Sequence, residues 1–261
     1  MSIGNGTDVM QIYIVSIFPE MVETVAEYGV VRRAIECGLL SLGYMDPRDF
    51  TEDTRRTIDD RPYGGGPGMV MKFGPVAAAI REAERTLPEE CPVIGLTPQG
   101  EIFDQTVAER FARLPGFILL TGRYEGIDER LIESEVDEEL SLGDFVLSGG
   151  EIAAMAVIDA VVRLIPGVLG DEHSALQDSF ASGLLDYPHY TRPKEIEGRC
   201  VPSVLLSGDH AEIARWRHKQ ALGRSYIRRP DLVKKLHLDD EQQKLLGEFI
   251  KEQELGTTNG Q

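Results

Sequence analysis

Apolar positions in the N-terminal half fall in short continuous runs separated by stretches of helical spacing. Gln11 to Phe18, QIYIVSIF, is apolar and rich in β-branched residues, which predicts a buried strand. Pro19 opens a helical pattern through Glu27. Arg48 to Gly68 is charged and ends in YGGGPG, which excludes regular structure there. A helix is expected from Pro75 to Thr86, started by the proline. Pro92 to Leu96, PVIGL, reads as a second buried strand ended by TPQG. Asp104 to Arg113 reads as a helix with Asp104 as its N-cap, and Gly116 to Leu120, GFILL, as a third strand ended by TGRYEG. Continuous apolar strands alternating with helices predict an α/β fold, a parallel sheet covered on both faces.

The pattern changes after Ser141. SLGDFVLSGGE, Ser141 to Glu151, is glycine-rich, and Ile152 to Ile165 follows as a long apolar helix stopped by Pro166 and Gly167. From there to Ser182 no period is strong, which reads as a linker. Ala211 to Leu222, Pro230 to Leu236 and Asp239 to Glu254 have helical spacing. The C-terminal third is therefore expected to be a small α-helical domain without strands.

Composition narrows the function. The 261 residues carry a net charge of −17, which by itself argues against a polyanion partner. The charge is uneven: Arg192 to Lys235 holds 11 Lys/Arg against 5 Asp/Glu, a local +6, inside an otherwise acidic chain. Cys37, Cys91 and Cys200 are far apart and lack metal-ligand spacing, as expected of reduced cysteines in a cytoplasmic protein. The opening MSIGNGTDV has no signal-peptide pattern and reads as a disordered leader, residues 1–9, and no apolar run is long enough to span a bilayer.

Several segments could carry chemistry, each with a plainer reading beside it. In SLGDFVLSGGE the backbone is accessible enough to hydrogen-bond an adenine or a ribose, but the run fits neither the dinucleotide nor the P-loop fingerprint, and a tight turn explains it equally. TPQG and TGRYEG lie past strand ends, where open parallel sheets bind ligands. Arg123, Glu125 and Asp128 there are functional candidates or a salt-bridge cluster. RRTIDDRPYGGGPGM, Arg55 to Met69, reads as a loop near a substrate or as solvated surface. Arg215 to Pro230 mixes arginines with Trp216 and Tyr226, which suits bases and phosphates, or an amphipathic helix burying Trp216 and Ile227. Arg163, late in its helix, and Asp178, in the linker, do not identify themselves by spacing.

Taken in order, SIFPEM, PRDFT, DDRPYGGGPGM, LTPQG, TGRYEGIDER, DEELSLGDFVLSGGE, RLIPGVLG, GLLDYPHYTRP, VPSVLLSGDHAEI and LGRSYIRRPDL resemble the bacterial tRNA (guanine-N1)-methyltransferases of the SPOUT superfamily, over about Met10 to Phe249. The resemblance implies a deep trefoil knot in a domain spanning residues 10–168, a flexible linker at 169–182 and a tRNA-binding helical domain at 183–261. It implies methyl transfer from S-adenosyl-L-methionine to N1 of guanosine 37 of tRNA, and a homodimer whose active sites are shared between subunits. Carried onto this chain, it implies cofactor contacts at Leu96, Pro98, Gly122, Glu125, Leu142, Gly143, Asp144, Phe145, Val146, Leu147, Gly149 and Gly150. It makes Asp178 the general base and Arg163 the group that stabilises charge on guanine O6. Arg215, Arg224 and Arg228 are expected to meet tRNA. Family members are described as using a divalent ion such as Mg²⁺, but no metal site is readable. The competing readings are another SPOUT enzyme acting on ribose or rRNA, a nucleic-acid-binding module without catalysis, and a nucleotide-dependent dehydrogenase.

Overall fold

The structure is a computed structural model that describes residues 9–88, 91–170 and 178–258, the last four without side chains. These fall into two compact units divided after Gly170. The expected leader lies almost wholly outside the described residues, as do positions 171–177 of the expected linker.

The first unit is built on a five-stranded parallel sheet. Its strands are β1 (Met10–Val15), β2 (Leu40–Met45), β5 (Val93–Ile102), β6 (Gly116–Thr121) and β7 (Glu138–Ser141), in the order β2-β1-β6-β5-β7. β6 is buried at every residue, as a central parallel strand must be. One face packs α1 (Pro19–Glu23), α2 (Gly29–Glu36), α4 (Gln105–Phe111) and α6 (Glu151–Val162) over Ile12, Ile14, Ile94, Phe117 and Leu119. The other packs α3 (Phe73–Thr86) and α5 (Glu129–Glu135) over Val15, Val93, Ile118 and Leu120. Asp104 caps α4 as expected, accepting from the backbone N–H groups of Thr106 and Val107.

The structure departs from the sequence reading in three places. TPQG does not end its strand: Leu96 and Glu101 both pair with Leu140, so residues 97–100 bulge from a strand that resumes beyond them. A two-residue ladder, β3 (Asp59–Asp60) with β4 (Val70–Met71), closes the glycine loop where no regular structure was expected. The second unit also has strands, β8 (Glu195–Ile196) and β9 (Arg199–Cys200), which pair as a hairpin around Glu197 and Gly198, both at positive φ.

Helices in the second unit are α7 (His210–Arg228), α8 (Pro230–Lys235) and α9 (Asp240–Thr258). Its core is small: Leu184, Leu222 and Leu245, with Val233, Leu236 and Leu238 against them. α7 and α9 approach closely at Gly223, where a Cβ would collide with the ring of Phe249. Arg215–Glu248 and Lys219–Glu252 tie the same two helices at 2.8 and 2.6 Å.

Candidate functional site

The carboxyl ends of β6 and β7 flank the bulge of β5, and the loops leaving them enclose with that bulge a cleft of about 500 Å³. This is where an open parallel sheet places its ligand. Leu96 and Pro98 come from the β5 bulge, Gly122 and Glu125 from the loop after β6, and Leu142, Gly143, Phe145, Val146, Leu147, Gly149 and Gly150 from the glycine run after β7. Of the cofactor residues expected from the resemblance, Asp144 alone is absent from the lining; it is exposed. Val146 is 87 % exposed and Phe145 54 %, so this wall presents apolar side chains to solvent.

Backbone forms the innermost wall. Gly150 donates its N–H to the Gly122 carbonyl at 2.9 Å, and Gly149 bridges Arg123. A Cβ at Gly150 would lie 2.9 Å from the Thr121 Cα, and one at Gly149 would collide with the Arg123 guanidinium, so glycine is required at both. Ser141 Oγ accepts from Gly143 N at 3.1 Å and sets the turn out of β7.

Glu151, the first residue of α6, has no solvent exposure and accepts from Ser16 Oγ at 3.0 Å and Arg123 Nε at 2.9 Å. Its carboxylate also sits at the N-terminus of α6, where the helix dipole attracts negative charge. Arg123 donates on to the Ser148 carbonyl and lies over the ring of Phe18. One buried ion pair therefore joins the ends of β1 and β6 to the glycine run. Sequence reading placed Glu151 in the motif but gave it no role; the available signal was a lone acid opening an apolar helix. Glu125 is held by its N–H to the Met69 carbonyl and lies against Gly68, which docks the 64–71 loop onto the rim.

Glu125, Glu129 and Glu139 line the cleft with a single arginine, Arg123. That balance suits a ligand with cationic groups and an apolar ring more than a dinucleotide. Among the described residues no cluster of three His, Cys, Asp or Glu groups is placed to hold a metal, and no helix is long and apolar enough to cross a membrane.

The two expected catalytic residues fall in different units. Arg163 is the C-cap of α6, about 18 Å along a twelve-residue helix from the cleft. Asp178 belongs to the second unit, half-buried with its Oδ2 fully covered. Among the expected tRNA contacts, Arg215 is paired to Glu248, Arg224 is half-buried and Arg228 is exposed. Trp216 is half-buried and Ile227 exposed on α7, so the helix does not bury both.

A family profile described as tRNA (Guanine-1)-methyltransferase TrmD matches residues 10–235. A protein of Methylococcus capsulatus named tRNA (guanine-N(1)-)-methyltransferase is 57 % identical over 251 residues, covering 96 % of this chain and 100 % of its own. Identically named proteins of Halorhodospira halophila and a Marinomonas species are 59 % and 56 % identical, over 93 % and 95 % of this chain and 92 % and 99 % of theirs.

Proposed function

The chain belongs to the tRNA (guanine-1)-methyltransferase family, and from that premise we propose that it transfers a methyl group from S-adenosyl-L-methionine to N1 of guanosine 37 of tRNA. The observation that carries the reading is the backbone-walled cleft between the ends of β6 and β7 and the bulge of β5. Its apolar walls fit an adenosine, and its three glutamates fit a sulfonium and an ammonium group. The same acids disfavour an anionic dinucleotide and so the dehydrogenase reading.

Bound S-adenosylmethionine supplies an electrophilic methyl: the N1–C bond forms as the S–C bond breaks. Guanine N1 carries a proton and is a poor nucleophile until that proton leaves. Asp178 accepts it, a contribution of roughly 10²–10⁴ in rate for a positioned base. The Arg163 guanidinium stabilises the charge that grows on O6, an effect of comparable size. With Arg163 about 18 Å from the cleft of its own chain, we assign it to the cleft of a second copy, and Asp178 with it as the family resemblance implies. The outward face of α6 supports a homodimer: Ile152 and Ala156 are exposed and Met155 and Ala160 half-buried, with Asp159 the one exposed charge beside them.

We also assign the trefoil knot to residues 10–168. In its support, β7 is an edge strand, yet α6 packs beside α1, α2 and α4 in the middle of its layer. Residues 142–150 must therefore return across the end of β5 to reach Gly122. Residues 183–261 are assigned to tRNA. Incubation with labelled S-adenosylmethionine and tRNA transcripts bearing or lacking guanine at position 37 tests the function: label should enter only the first. Asp178→Asn should abolish transfer and keep cofactor binding, and near-normal turnover in that variant would remove Asp178 from the mechanism.

A further inference from the structure

A second cavity, of about 400 Å³, lies wholly within the C-terminal unit, between the segment Tyr187 to Lys194 and helix α7. Its chemistry is distinct from that of the cleft. Arg192, Lys194 and Arg217 line it, and no carboxylate does, in a chain of net charge −17. None of these three cations forms an ion pair among the described residues, whereas the neighbouring Arg215 and Lys219 are both tied to glutamates of α9. Three rings stand at the rim. The Arg217 guanidinium lies 4.8 Å over the Tyr187 ring, His189 packs on the same tyrosine at 4.7 Å, and half-exposed Tyr190 leans on Trp216 at 6.4 Å. Val201, Leu205, Leu206 and Ile213 supply apolar surface.

We propose that this cavity binds one unstacked nucleotide of an RNA strand, its base against Tyr190 and the apolar residues and its phosphate on Lys194, Arg192 and Arg217. The volume falls in the range of small-ligand sites, roughly 300–1,000 Å³. Aromatic faces beside cations that lack carboxylate partners are what a single-stranded base and its phosphate require. A phosphate alone would need no rings, and a duplex would offer no free base face. The identity of the RNA as tRNA rests on the proposed function; the nucleotide site does not.

Trp216, the chain's sole tryptophan, adjoins Tyr190 and reports on the cavity directly. The full-length protein is titrated, with tryptophan fluorescence as readout, against a single-stranded oligoribonucleotide, the same length of RNA duplex, and inorganic polyphosphate. The expected result is saturable quenching by the single strand alone. Tyr190 and Lys194 are exposed, so their replacement leaves the fold intact. Tyr190→Ala should weaken single-strand binding about tenfold or more. Lys194→Ala should reduce the slope of log K against log salt by about 0.7. Equal quenching by polyphosphate or duplex, or unchanged affinity in Tyr190→Ala, would overturn the proposal. Methylation of tRNA by the wild type is measured alongside. If it proceeds with the same KM for tRNA in both variants and their single-strand affinity is also unchanged, the nucleotide site is refuted and the enzyme reading survives. If methylation is absent but single-strand quenching and its loss in the variants are observed, the enzyme reading fails and the nucleotide site stands.

Discussion

Glu151 shows how far one side chain governs the cleft. It is fully buried, its partner Arg123 is 18 % exposed, and the pair holds three backbone segments in register. Removing one member of such a pair strands the other charge in the interior, at about 3–5 kcal/mol. Glu151→Ala should lower unfolding free energy by that order in urea titrations and weaken S-adenosylmethionine binding as the Ser148–Gly150 wall loosens. Gly150→Ala separates the two effects. Its Cβ meets the Thr121 backbone, so it should abolish cofactor binding in calorimetry with only a modest shift in Tm. Neither Glu151 nor Ser16 was singled out from sequence, because their partnership spans 135 positions and no local pattern records it.

At the scale of elements, α7 has two kinds of arginine. Arg215 is clamped bidentately by Glu248, while Arg228, at the helix end, is exposed. Arg228→Ala should therefore raise the KM for tRNA more than Arg215→Ala does, with the KM for cofactor unchanged in both. The Arg215 guanidinium holds the Glu248 carboxyl below the usual carboxylate range. A lowered carboxylate contributes stability above its unfolded pKa and loses it as pH falls through the folded one. Thermal melts between neutral and acid pH should thus show a loss at low pH that Glu248→Gln reduces. Elements built on continuous apolar runs, β1, β6 and the first half of β5, are legible in sequence, as are Asp104 as a cap and α7 to α9 in outline. β2 is not, because Gly43 interrupts it; the Tyr13 ring of β1 occupies the space a Cβ would need. β7 is not, because EELS is short and acidic and gains its place only from β5. The same bulge explains why TPQG has the sequence signature of a strand end.

Over the whole molecule, charge is unevenly distributed along the chain. The acidic first unit carries a cleft suited to a cationic donor, and the basic stretch Arg192 to Lys235 lies in the second. Placing Asp178 and Arg163 at the cleft of a second copy can be tested by complementation. A chain with Gly150→Ala and a chain with Asp178→Asn are each expected to be inactive. Mixed dimers would hold one intact site in two, so a random mixture should recover roughly a quarter of the wild-type rate. No recovery would show that each chain completes its own site. The inner wall of the cleft, made of glycine N–H and carbonyl groups held by a buried ion pair, has a practical corollary. An inhibitor that hydrogen-bonds to that wall would contact atoms that no side-chain substitution alters, and mutations that displace the wall would also disable cofactor binding. Escape from such a compound would have to arise at the rim, at residues such as Val146 or Tyr124, where side chains alone meet the solvent.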